Sequence, residues 1–390
     1  MKNKDKKVID FEKTKRKINI KKLLRVLRIP IVAVAVIIAV FLSARLIGNV
    51  ATSNATDAIR QIKSVFSSGE GFPYSLESRA VKKIDSIGNR MLILCSDESL
   101  VLDRKAGEQF SYQLGNAESK AITSNGRALV YSNGSNKVIL QSKTEQLGTV
   151  EEEGAVVTAS LSKKGNFATS HMDKNGKSIL TVYNRKLEKE FVWSCADERI
   201  TAISLSDDGK KVAVAAIGVE NAEIYSRIIL FDTSESEAVY DMKLSGTLFL
   251  RVYCSTKNSV IAVGDNRTVV FGKDGGAVDE LTYAENSISN VESDDKGNVA
   301  VCVSEFGGSK TSVTVFKKNG KRACAFSIDG EPSDVDIGSG KVAAAVGGEI
   351  IVFNLKGAEK KRIQTENSPS QVFIVSGDFY TVESGAICKY

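Results

Sequence analysis

The residues best placed to do chemistry are two carboxylates at alternating positions, Asp334 and Asp336, in the run S-D-V-D-I. On an extended strand positions i and i+2 point to the same side, so the pair can hold a cation or accept from a basic ligand group. Two carboxylates also support glycoside chemistry without a histidine, provided that their separation is defined and one pKa is raised. The plainer reading is solvation at the mouth of a strand. The remaining inventory is thin. His171 is the one histidine, which excludes multi-histidine metal centres and leaves a Ser-His-Asp triad without a G-x-S-x-G elbow. It reads as a structural residue on a strand. No G-x-x-x-x-G-K-[ST] phosphate loop and no D-x-[DN]-x-[DN]-G calcium loop occurs. Asp207-Asp208-Gly209 and Asp294-Asp295-Lys296-Gly297 read as turns, and Glu151-Glu152-Glu153 as an exposed turn between units. No catalytic, cofactor-binding or metal-binding residue follows from the sequence, so Asp334 and Asp336 stand alone as candidate ligand-binding residues.

Six cysteines, at 95, 195, 254, 302, 324 and 388, show no C-x-x-C and no compact framework. They sit inside apolar runs, where cysteine behaves as a small buried hydrophobe. Free thiols are expected, although an exported domain would permit disulfides. Trp193 reads as outer-strand packing, and the sequons at Asn54, Asn133 and Asn266 as chance.

The elements that must position these groups are visible in the stretch Ile200–Gly246. A β-prone run, Ile200–Leu205, ends at Asp207-Asp208-Gly209, an Asx-type turn whose glycine is free to take positive φ. Lys211–Ile217 (KVAVAAI) is near-continuously apolar, as a strand buried on both faces should be. Arg227–Asp232 (RIILFD) is a third run, and Ala238–Leu244 is a fourth, alternating and more polar, as an outer edge strand should be. A four-stranded antiparallel unit of about 40 to 45 residues repeated radially is a propeller blade. Similar units begin near Ala80, Ala121, Val156, Ile200, Thr247, Ile288, Ser333 and Gln371, and a turn of small or polar residues follows the first run of each. The last unit, from Gln371 to Tyr390, has room for three strands only. Its missing fourth strand has a candidate in Phe72-Pro73-Tyr74-Ser75-Leu76, which would close the ring and remove its open sheet edges.

Ahead of the ring, residues 1–28 hold twelve Lys or Arg against three acidic residues, a balance of +9, whereas the whole chain is +6. The other 362 residues therefore sum to −3. Ile29–Ala44 carries no charge, and residues 29–50 read as a single transmembrane helix with Arg45 snorkelling at one end. The basic flank places the N-terminus in the cytoplasm and the ring outside. A cleaved signal peptide is the competing reading, and both export the domain. In the stalk, 51–71, residues Ala58, Ile59, Ile62, Val65 and Phe66 fall at helical spacing. The basic tail reads as a topogenic flank that attracts anionic lipid. Apart from Phe11 it has no interleaved aromatics for stacking on bases, so nucleic acid is not an expected partner.

Residues 72–390 resemble the WD40-like and quinoprotein-like β-propellers, and the whole layout is similar to single-pass, membrane-anchored bacterial propeller proteins of uncharacterised function. The features that carry the resemblance are F-P-Y-S-L at 72–76, the turn S-D-D-G-K-K-V-A-V at 206–214, and the third strands I-L-F-D at 229–232 and I-V-F-N at 351–354. The Trp-Asp dipeptide of WD40 repeats, the tryptophan-docking pattern of quinone-binding propellers and the sialidase Ser-x-Asp-x-Gly-x-Thr-Trp box are absent. The expected architecture is an all-β, eight-bladed or alternatively seven-bladed β-propeller with one N-terminal membrane helix and no cofactor. The expected role is an interaction module for an envelope protein, peptide or wall polymer. A carboxylate-based hydrolase or lyase at the channel mouth is the alternative.

Overall fold

The computed structural model describes residues 69–390 apart from 78, 116 and 117. The tail 1–28, the run 29–50 expected to form a membrane helix and nearly all of the expected stalk 51–71 lie outside the described residues. Among the described residues no helix is long and apolar enough to cross a membrane.

The chain forms eight four-stranded antiparallel sheets, the blades of an eight-bladed β-propeller. Seven are built from consecutive strands, spanning 81–113, 119–151, 156–195, 199–245, 249–282, 287–329 and 334–364, and are numbered 1 to 7. Blade 8 takes three strands from 371–389, and its fourth is Tyr74–Ser75. Tyr74 pairs with Ile387 and Ser75 with Ala386, which ties the two ends of the domain into one sheet.

The apolar pattern explains why blades associate. Second strands such as 211–216 and 299–304 are buried at nearly every position, whereas fourth strands such as 277–282 are mostly exposed. A second strand buries both faces because each face meets a different neighbour. The buried side chains accordingly divide into eight clusters, one at each blade interface, from blades 1 and 2 round to blades 8 and 1. Burying one Val, Leu, Ile or Phe contributes about 1.5–3 kcal/mol, so loss of any interface would open the ring. Trp193 lies on the fourth strand of blade 3 and packs 5.1 Å from the Phe231 ring of blade 4.

Blade 4 departs from its template. Its second and third strands are 211–220 and 223–232, longer than the apolar runs 211–217 and 227–232. The residues beyond those runs continue the ladder, with Val219 opposite Ile224 and Glu220 opposite Glu223. Asn221 and Ala222 both take positive φ, 51° and 64°, the two-residue turn whose twist suits a hairpin. A strand that leaves the core no longer needs a continuous apolar run, and Val219 and Ile224, set among polar residues, did not extend the run read from the sequence.

Candidate channel and binding faces

In every blade the first strand is innermost and has an unpaired edge toward the central channel. Its backbone groups there need partners, and neighbouring first strands supply them. Asp334 Oδ2 accepts from the Val372 amide (3.0 Å) and Oδ1 from Asn290 Nδ2 (3.0 Å). Asp336 Oδ2 accepts from the Ile374 amide (2.6 Å) and Oδ1 from its neighbour Ile337 (2.8 Å). Carboxylates at i and i+2 thus match amides at i and i+2 on the next blade. Simple solvation at a strand mouth is therefore replaced by a cross-tie from blade 7 to blades 6 and 8. Ser160 Oγ accepts from the Leu205 amide (2.9 Å), Ser204 Oγ from the Cys254 amide (3.0 Å), and Arg251 donates to the Val291 carbonyl (2.8 Å). These bonds extend the same belt over blades 3 to 6.

Further charges line the channel. Lys83 Nζ lies 3.4 Å from Asp85 Oδ2 on blade 1, and Asp85 holds the ammonium above its usual range. Burial pushes the Asp336 carboxyl up to about 8, with the Glu292 charge adding and the two amides pulling back. Burial also raises Asp334, against the pull of the Val372 amide, and Glu292, against the pull of Lys83. The sequence brought only Asp334 and Asp336 into view. Lys83, Asp85, Arg251 and Glu292 lie on three other blades, and their one signal was a polar residue in a first strand. Among the described residues no group of three or more His, Cys, Asp and Glu is placed to hold a metal.

Glu152 overturns the expectation of an exposed turn at 151–153. Glu151 and Glu153 are exposed, but Glu152 retains only 4% of its surface. Its carboxylate accepts from Thr169 Oγ1 and Tyr183 Oη (2.9 Å), and its other oxygen is 3.5 Å from His171 Nδ1. His171, on the second strand of blade 3, is itself buried. The connector therefore pins blade 2 to blade 3. Glu98, Glu198 and Glu383 are buried beneath the same face, with Arg79 on Glu98, Tyr225 on Glu198 and Tyr390 on Glu383.

Because all blades share one strand order, inter-blade connectors and the turns between second and third strands emerge on one face of the ring. The turns between first and second and between third and fourth strands emerge on the other. The connector face holds thirteen Asp or Glu and three Lys or Arg outside the strands, a balance of −10. The turn face holds ten acidic and fifteen basic residues between its strands, a balance of +5. Nine large hydrophobic residues are exposed among the described residues. Six of them reach the connector side of blades 3 to 6: Val157, Met172, Val219 (66% exposed), Ile224, Leu250 and Phe306 (98% exposed). Val157 and Leu250 occupy bulges at the starts of first strands, where the extra residue re-aims a side chain. A cleft of ≈ 680 Å3, lined by Tyr112, Tyr131, Asn136 and Glu153 among others, opens on the same face at blades 1 and 2 and the connector that follows them.

On the turn face seven turns repeat one device. A side-chain oxygen accepts from the amide of a lysine two residues on, as in Asp103–Lys105 (2.8 Å), Asn184–Lys186 (2.8 Å), Asp208–Lys210 (3.2 Å) and Ser255–Lys257 (3.2 Å). The others are Asp294–Lys296 (2.9 Å), Asn319–Lys321 (3.2 Å) and Asn354–Lys356 (3.0 Å). All seven lysines are exposed.

Residues 37–389 match DUF5711, a family of unknown function. The chain belongs to this family. No curated protein sequence matches it. Among solved structures, the chain is similar to Sqt1 of Saccharomyces cerevisiae (TM-score 0.57, 10% identity, 83% of this chain and 100% of that one). It is also similar to the Dos1 propeller (0.55, 13%, 84% and 95%). The C-terminal WD40 domain of Sif2 gives 0.53 at 13% identity, over 80% and 99% of the two chains. At these identities the likeness is one of fold: this DUF5711 chain has a WD40-like propeller.

Proposed function

We propose that this DUF5711 chain is a membrane-anchored, extracytoplasmic β-propeller that acts as a binding module at the cell envelope, with a protein or peptide as its first expected partner. The carrying observation is the set of exposed hydrophobic residues on one face. A single exposed Val or Phe is ordinary on a protein surface, but six that reach one face over four adjacent blades, with Val219 and Ile224 directly paired, give that face apolar side chains to offer a partner. Apolar contact favours a protein or peptide over a wall polymer. The membrane placement rests on the uncharged run Ile29–Ala44 and the +9 flank before it.

The raised Asp336 favours the alternative, carboxylate chemistry in the channel. All four oxygens of Asp334 and Asp336 are already engaged by N–H donors, so the binding module is the stronger reading.

The test is affinity capture of full-length protein from crosslinked host cells, using wild type, a Val219→Asp/Ile224→Asp/Phe306→Asp variant and a Lys257→Glu/Lys356→Glu control. A partner kept by wild type and control but lost by the triple variant supports the reading. A partner that the triple variant retains contradicts it.

A further inference from the structure

We propose that the lysine-rich turn face of the ring docks on an anionic phospholipid surface, with the acidic connector face turned away from it. This inference rests on the membrane-anchored reading above.

The first support is the seven turn lysines. Among the described residues none of them is in an ion pair, whereas three carboxylates at this end of the blades are already matched. Asp207 is paired with Lys163 (2.7 Å) and Lys318, Asp232 with Lys211 (2.9 Å), and Asp378 with Arg104 (2.6 Å) and Lys389 (2.9 Å). The seven lie on blades 1, 3, 4, 5, 6 and 7. They are spread over a plane and do not converge on a pocket. Flexible ammonium groups distributed in this way suit a sheet of phosphodiester headgroups, which lacks the fixed geometry that selects arginine forks.

The second support is the point at which the chain enters the ring. The Gly71 amide donates to the Lys105 carbonyl (3.1 Å) in a turn of this face. The strand Tyr74–Ser75 then runs toward the connector face, where the Leu76 amide reaches the Gly385 carbonyl (2.9 Å). The described chain therefore enters the ring on its basic side, and any membrane anchor that precedes Gly71 is tethered at that face. A balance of −10 on the connector face would be repelled by the same surface.

The test is lysine acylation of the full-length protein in nanodiscs, read peptide by peptide, with phosphatidylcholine alone or mixed with phosphatidylglycerol. In 0.1 M salt, Lys186, Lys257, Lys321 and Lys356 should label about fivefold more slowly in the anionic discs. Lys174, Lys177 and Lys310, on the connector face, should label equally in both. At 1 M salt, where the screening length falls from about 10 Å to about 3 Å, the difference should vanish. It should also vanish in a Lys186→Glu/Lys257→Glu/Lys321→Glu/Lys356→Glu variant, read at Lys105 and Lys296. Equal labelling of the turn face in both lipids, or protection of the connector face, overturns the proposal. Protection by soluble polyphosphate in neutral discs, without protection by anionic lipid, overturns the lipid assignment. A chain that fails to insert sinks the anchor reading; labelling beside free anionic vesicles then decides the docking proposal, and absence of protection there overturns it. Partner capture plays no part in this readout, so failure of the interaction module leaves it legible.

Discussion

The two faces of the ring solve the same problem, ending a strand and starting the next, with different chemistry. On the turn face the solution is local: Asp294 Oδ1 accepts from the amides of Lys296 (2.9 Å) and Asn298 (2.8 Å) within its own turn. On the connector face local closure also occurs, as where Asp173 Oδ1 accepts from the amides of Asn175 (2.9 Å) and Lys177 (2.7 Å), but a connector adds long-range contacts: Glu152 holds Thr169 and Tyr183 of the next blade. Local turns leave their long side chains free in solvent and repeat readily, which is how seven lysines come to share one face. That face varies from blade to blade, both in its connectors and in its turns between second and third strands, two of which expose Phe306 and the blade 4 hairpin. Variety on one side and repetition on the other match a specific protein partner and an unspecific charged surface, respectively.

Breaking a connector should cost far more than breaking a turn. Glu152→Ala strands two buried hydroxyls and His171 and should lower stability by about 3 kcal/mol, seen as a reduced denaturant midpoint. Asp294→Ala removes three bonds in a solvent-accessible turn and should cost about 1 kcal/mol. Equal losses would erase the distinction between the faces.

The channel belt gives a pH signature. The Asp336 carboxyl is raised from its ordinary value near 3.8 to about 8, so between those limits the folded state binds more protons than the unfolded. Its contribution is fully present below about pH 4 and is lost as pH rises to about 8, at up to about 1.4 kcal/mol per pH unit. Asp336→Asn should flatten that part of the stability profile. An unchanged slope would show that the carboxyl is not held neutral by its surroundings.

Smaller effects are expected from the thiols and the turn lysines. All six cysteines are free and buried or half-buried, and burial pushes the Cys254 and Cys302 thiols up to about 12. Native protein should therefore react slowly with a thiol reagent and release the full six equivalents only when unfolded. Fast reaction of Cys254 or Cys302 would mean that a blade interface opens. The four-lysine charge reversal should change stability by less than about 0.5 kcal/mol, since those side chains contribute charge and no packing.

The ring was legible because its signals are local. Apolar second strands, turns such as Asp207-Asp208-Gly209 with its glycine at φ 73°, and a last unit one strand short all act within about 40 residues. Observed first strands begin within two residues of the positions read from sequence. The site was far less legible. The burial of Glu152 depends on residues up to 31 positions away, and the ties of Asp334 and Asp336 to Val372 and Ile374 span 38. Neither leaves a trace in a window of one blade. The opposed charge of the two faces was equally hidden, because both kinds of turn alternate along the chain and average out in any running count.

The most direct test of the two-faced account places a photo-crosslinking residue at position 306 or at position 257 of the full-length protein in its host cells. The account predicts a discrete protein adduct from 306, and lipid adducts without that protein from 257. The same protein captured from both positions, or a protein captured from 257 alone, would contradict it.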